Sequence, residues 1–161
     1  MFARPSLPSS TQRWAHGTSS IAQMRTAMED GSVTAIEADI VMGREMGNND
    51  GFLTPILAHP PDRESDLSFR HFLNTSMRDG KLQKHLKLDF KEIEAVQPSL
   101  DILTMQVFER NEKFVFLNAD ILPGPGQTSS DITVPASQFL DQCRRVVLAR
   151  KTVRTASWFV R

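Results

Sequence analysis

The sequence predicts an α/β fold built on a largely parallel sheet, and three observations carry that expectation. Strand-like and helix-periodic segments alternate along the 161 residues. Polar side chains recur at the C-terminal ends of successive strands, and 40% hydrophobic content at zero formal net charge suits one globular domain. The balance of 19 Lys and Arg against 19 Asp and Glu argues against a nucleic-acid partner, whose phosphates call for a basic excess. A single cysteine, Cys143, excludes an internal disulfide framework. No run approaches the ~20 apolar residues of a spanning helix, and the opening MFARPSLPSSTQR lacks the apolar stretch of a signal peptide. The expectation is therefore a soluble chain with no transmembrane segment, cytoplasmic by default and extracellular if the N-terminus is incomplete.

Residues 1–12, with Pro5, Pro8 and a Ser/Thr cluster, read as a flexible leader, and the domain runs over 13–161. The first helix spans Ser19 to Asp30, where Ile21, Met24, Ala27 and Met28 follow a helical period behind a Ser cap and Asp30-Gly31 stops it. Val33 to Met42 is a strand with Ala35, Glu37 and Asp39 on one side and Ile36, Ala38 and Ile40 on the other. Gly43 to Gly51 reads as a turn-rich loop, and PILAH at 55–59 as a short strand closed by Pro60-Pro61. Ser65 or Asp66 caps a second helix that ends at Asp79-Gly80. HLKLDFK at 85–91 alternates apolar and charged residues, the period of a strand. Glu92 to Val107 is helical with Pro98 as a kink or restart, Phe114 to Leu122 is a strand stopped by PGPG, Ala136 to Val147 is a helix, and Thr152 to Val160 is a last strand. Such alternation predicts parallel strands with right-handed crossovers.

In a parallel sheet the C-terminal strand ends share one face, where ligand sites form. WAH at 14–16, EAD at 37–39, LAH at 57–59, LDFK at 88–91 and LNAD at 117–120 would meet there. Glu37 and Asp39 project to one side and suit a hard divalent cation, with Asp89 as a third oxygen ligand. His16 and His59 then serve as general base and general acid, since an imidazole titrates near neutrality. Lys91, with Asn118 and Asp120 on the later strand, is placed as substrate-binding. Metal, acid, base and cation together describe phosphodiester chemistry. Taken singly, an E-x-D pair is more often a solvated face or loop ion pair, a lone exposed His is usually a surface residue, and the K-x-D-x-K run reads equally as a charged edge strand. His71 and His85 read as structural, Trp14 and Trp158 as packing, and Cys143 as a core thiol.

At WAHGTSS (14–20), IEADIVM (36–42), PILAHPPDRESDLSF (55–69), LKLDFKEIEAV (86–96) and LNADILPGPG (117–126) the sequence resembles the menorin family. More distantly it is similar to glycerophosphodiester phosphodiesterases and sphingomyelinase D type phospholipases. That resemblance implies a phospholipase C-like (β/α)8 TIM barrel truncated to about its first half, with Ser157 where a Gly would stand. It also implies that His16 and His59 are the acid and base, that Glu37, Asp39 and Asp89 hold Mg2+ or Ca2+, and that Lys91 follows its acid. The Arg usual between His and Gly in the phosphodiesterases is missing, since Gly17 follows His16 directly, and a phosphate contact goes with it.

The leading functional expectation is thus a phosphoric diester hydrolase or lyase acting on a glycerophosphodiester or lysophospholipid-like headgroup. A non-catalytic binding or adhesion module keeping the same pocket is the alternative. The other is an inactive partial chain, a gene-model truncation or a splice form, in which an unclosed sheet leaves an edge.

Overall fold

A computed structural model of the chain describes residues 12–48, 50–105, 113–122, 134–149 and 153–155. The elements run β1 (Trp14–Ala15), α1 (Ile21–Glu29), β2 (Ala35–Glu45), β3 (Thr54–Leu57), β4 (Glu64–Ser65), α2 (Phe69–Ser76), β5 (Met77–Arg78), β6 (Lys81–Leu82), β7 (His85–Phe90), α3 (Val96–Met105), β8 (Val115–Ala119), α4 (Ala136–Ala149) and β9 (Val153–Thr155). A 3-10 turn at Ile93–Ala95 leads into α3. PGPG at 123–126, Ser157 and Trp158 lie outside the described residues, as does nearly all of the leader.

The backbone of the fold is a sheet of order β1-β2-β7-β8-β9 in which each of these neighbours pairs in parallel. Among the described residues it is open, with β1 and β9 at its two edges. Period-two alternation divides its faces. Ile36, Ala38, Ile40, Leu86, Leu88, Phe90, Val115, Leu117 and Ala119 join the buried core with Met24, Phe72, Leu73, Val96, Leu100, Phe139 and Cys143 from the helices. Each fully buried Val, Leu, Ile, Phe or Met side chain among them contributes about 1.5–3 kcal/mol. The other face carries Glu37, Asp39, Lys87, Asp89 and Asn118, so the core helices and the polar constellation lie on opposite sides of one sheet.

Helix boundaries follow local chemistry. Ser20 caps α1 by accepting from Gln23 N, and Asp30 ends it. Asp66 does not cap α2 as the sequence suggests. Its Oδ1 accepts from Ile21 N, 45 residues earlier, and thereby helps to cap α1. Ser68 takes the cap of α2, accepting from His71 N. Pro98 neither kinks nor restarts α3, because it stands in the first turn, where its missing N–H needs no partner.

The larger departure concerns residues 43–59. β2 continues through Gly43 to Glu45 rather than ending at Met42, and β3 runs antiparallel to it, pairing Ile40 with Leu57 and Gly43 with Thr54. This hairpin arm rises beyond the last β2–β7 pair, Ile40 with Phe90, and β4 then pairs with Arg44 and Glu45. In the gap between β7 and β4, Met42 N donates to Glu92 Oε1 at 2.6 Å, and Arg63 binds Glu92 Oε2 at 2.6 Å. Those contacts seal the seam on which the arm stands.

Cys143 is fully buried, and that burial pushes its thiol up to about 12. Alkylation of the native protein by iodoacetamide is expected to be at least about 100-fold slower than in denaturant, since the thiolate is the nucleophile. Stability contributed by the protonated thiol is lost as pH rises from 9.0 through about 12, because the unfolded chain releases that proton first. Equal labelling of native and denatured protein contradicts this placement. Among the described residues no helix is long and apolar enough to cross a membrane.

Candidate functional site

Parallel register builds the site row by row. Asp39 of β2 stands opposite Asp89 of β7, and Asp89 opposite Asn118 of β8. One row below, Glu37 faces Lys87. Since side chains alternate, these residues share a face. Carboxylate oxygens of Glu37, Asp39 and Asp89 all lie within 4.8 Å of one another, a set that can hold one divalent cation.

The acids are oriented from several directions. Glu37 Oε2 accepts from Gly17 N at 2.9 Å, and His16 Nδ1 lies 3.5 Å from the same oxygen. Gly17 has φ 63°, the left-handed conformation that glycine adopts without steric cost, and this turns its amide onto the carboxylate. Asn118 is buried and donates from Nδ2 to Asp89 Oδ1 at 2.8 Å. Lys91 Nζ lies 3.0 Å from Asp39 and 3.1 Å from Asp89, while Lys87 Nζ lies 3.4 Å from Glu37 and 3.5 Å from Asp89.

Burial pushes the Asp39 carboxyl above its ordinary value, outweighing the downward pull of Lys91. Burial also works to lower the Lys91 ammonium, but the carboxylates of Asp89 and Asp39 outweigh it and hold the group above the ordinary lysine value.

The two histidines flank one edge of β2. His16 follows β1, whose next turn ties Thr18 N to Glu37 O at 3.1 Å, and its side chain is 59% exposed. His59 follows Ala58, whose N donates to Asp39 O at 3.2 Å, so the antiparallel return of β3 carries it back toward the acids. Its Nδ1 lies 2.7 Å from Pro60 O, and the residue is exposed. Asp120 is exposed just past the end of β8.

His85, by contrast, is buried at the start of β7, stacked on Phe114 at 5.8 Å and accepting from Phe114 N. Burial, with Lys113 adding to it, lowers its pKa and favours the neutral ring that can accept.

Two comparisons bear on these motifs. Residues 9–158 match the model described as the Menorin N-terminal domain. The chain belongs to the menorin family. Protein FAM151B of Homo sapiens is 35% identical over 128 residues, which covers 80% of this chain and 43% of that relative. The chain therefore spans less than half the length of that menorin-family relative. No solved structure matches the chain at a significant level.

Within this menorin-family chain, Lys87 and Glu92 are the site-proximal residues that strand-end reading passes over. Lys87 precedes the strand end by three residues, and only the K-x-D-x-K alternation hints that it shares a face with Asp89 and Lys91. Glu92 gives no signal, because its use depends on the seam between β7 and β4.

Proposed function

We propose that this chain carries the site of a metal-dependent phosphodiesterase, acting on a glycerophosphodiester or lysophospholipid-like headgroup. The carrying observation is the convergence of Glu37, Asp39 and Asp89 within 4.8 Å. Three hard oxygen donors fit Mg2+ or Ca2+, neither of which favours a nitrogen or sulfur set. On this reading residues 13–161 are the domain, and the parallel sheet forms the first part of a phospholipase C-like (β/α)8 barrel whose interior face is the polar one.

When bound, the cation supplies charge neutralisation for the phosphate oxygens. His16 and His59 divide the proton transfers. One imidazole, neutral, takes a proton from the attacking water as its oxygen bonds to phosphorus, and the other, protonated, gives one to the alkoxide oxygen whose bond to phosphorus breaks. Their positions beside Glu37 and Asp39, on the edge of β2 opposite β7, support this pairing. Glu37, within 3.5 Å of His16 Nδ1, orients that ring. Lys91 and Asn118 face the phosphate from β7 and β8, with Asn118 also holding Asp89 in place. Asp120 meets a hydroxyl of the headgroup, since a carboxylate repels phosphate oxygens.

The test is hydrolysis of glycerophosphocholine and of lysophosphatidylcholine with Mg2+, with Ca2+ and with chelator. Activity is expected only with a divalent cation. His16→Ala and His59→Ala are each expected to lower kcat by about 100- to 10,000-fold with cation affinity retained. Turnover that survives chelation, or survives both substitutions, overturns the proposal.

A further inference from the structure

We propose that Lys87, which lies outside the six positions shared with the phosphodiesterases, sets the charge of the site so that cation must bind before anion. The inference rests on the reading that the three acids hold a metal. Lys87 of β7 and Lys91, directly after its end, lie two residues to either side of Asp89, and each contacts two of the three carboxylates. At the cluster itself, three carboxylates against two ammonium groups leave one net negative charge, and Asp120, past the end of β8, adds to it at the rim. In that state a phosphodiester monoanion is repelled. A divalent cation reverses the sign, leaving one net positive charge that draws the anion in.

The two lysines are not equivalent. Lys91 lies 3.0–3.1 Å from its carboxylates, and its side chain is 18% exposed. Lys87 stands off at 3.4–3.5 Å, and its side chain is 30% exposed. Lys87 therefore yields Glu37 and Asp89 to an incoming cation more readily, and its ammonium, once released, joins Lys91 in facing phosphate. Before loading, both lysines act as internal counter-ions that keep three clustered acids from repelling one another. Removing the Lys87 charge should move the two affinities in opposite directions: a more negative empty site takes the cation more tightly, and a loaded site stripped of its positive excess holds the anion less well. A merely structural role cannot produce that split.

The experiment titrates the chain with Mg2+ by calorimetry, then with dimethyl phosphate by phosphorus NMR, with and without saturating Mg2+. It is run at about pH 8, where an ordinary imidazole is uncharged. In the wild type, Mg2+ is expected to strengthen dimethyl phosphate binding by at least about tenfold. Lys87→Gln is expected to bind Mg2+ about tenfold more tightly and dimethyl phosphate about tenfold more weakly, while Lys87→Arg behaves as wild type. Unchanged or weakened Mg2+ binding in Lys87→Gln, or wild-type anion binding indifferent to Mg2+, overturns the proposal. A wild-type chain that binds no Mg2+ removes the metal reading itself, a result visible before any variant is made.

Discussion

Asp89→Asn is expected to weaken Mg2+ binding by at least about 100-fold and to reduce hydrolysis to background, while the protein remains folded. Substitutions one shell out from a metal already cost 10–100-fold, and Asp89 is a candidate ligand itself. It is also the acid that both lysines contact, within 3.1 Å of Lys91 and 3.5 Å of Lys87, and it lies 2.8 Å from Asn118. The asparagine keeps the shape and an Oδ1 that can still accept from Asn118, while the Oδ2 that faces Lys87 and Lys91 becomes an amide donor, so the charge and those two contacts are lost together.

Breaking a buried pair from one side costs 3–5 kcal/mol, but Lys91 retains Asp39, and a loss of about 2 kcal/mol follows. For a chain of this length that corresponds to a fall in Tm of about 4–8 °C. Calorimetric titration and thermal denaturation of the same preparation check both parts. Near wild-type Mg2+ affinity would remove Asp89 from the metal set.

Why Asp89 was legible and Lys87 was not follows from how the strands are joined. Alternation alone puts Glu37 and Asp39 on one side of β2, and helical segments between strands imply parallel crossovers, so an acid near the end of β7 falls into the same layer. The reach of Lys87 depends on register, since it contacts Glu37 only because β7 pairs residue for residue with β2. The same K-x-D-x-K run on an edge strand would be charge protection against association, and β7 is central.

The path of the chain into His59 differs from what local pattern suggests. PILAH reads as one more strand ending in a polar residue, yet β3 is antiparallel, and the hairpin folds back past Ile40 so that Ala58, the residue before His59, donates from N to Asp39 O. The partner of Asp66 lies 45 residues away on α1, and no local pattern encodes such a distance. Interior patterning was thus written in the sequence, whereas the ends of elements were decided by tertiary partners.

Gly43→Ala is expected to have the largest effect of any single methyl group in the hairpin arm. A Cβ at Gly43 would stand 2.5 Å from the carbonyl oxygen of Arg63 and would overlap the side chain of Ile56. The carbonyl cannot yield cheaply, because it accepts from Arg44 N at 2.8 Å and fixes β4 against β2. Ile56 is fully buried with Val41 and Ala58, so moving it shifts the segment that leads into His59.

Overpacking of this kind costs about 1–3 kcal/mol, and contact with backbone places this case at about 3 kcal/mol or beyond. Glu37, Asp39 and Asp89 lie below the arm, held in register by the pairing of Ala35–Ile40 with His85–Phe90. Mg2+ affinity should therefore stay within about threefold of wild type, while hydrolysis falls by about 100-fold, the scale of a displaced acid or base. That separation of cation binding from turnover distinguishes a displaced His59 from general unfolding. Unchanged turnover in a destabilised Gly43→Ala protein would show that His59 does not depend on the arm, and would take it out of the proton-transfer pair.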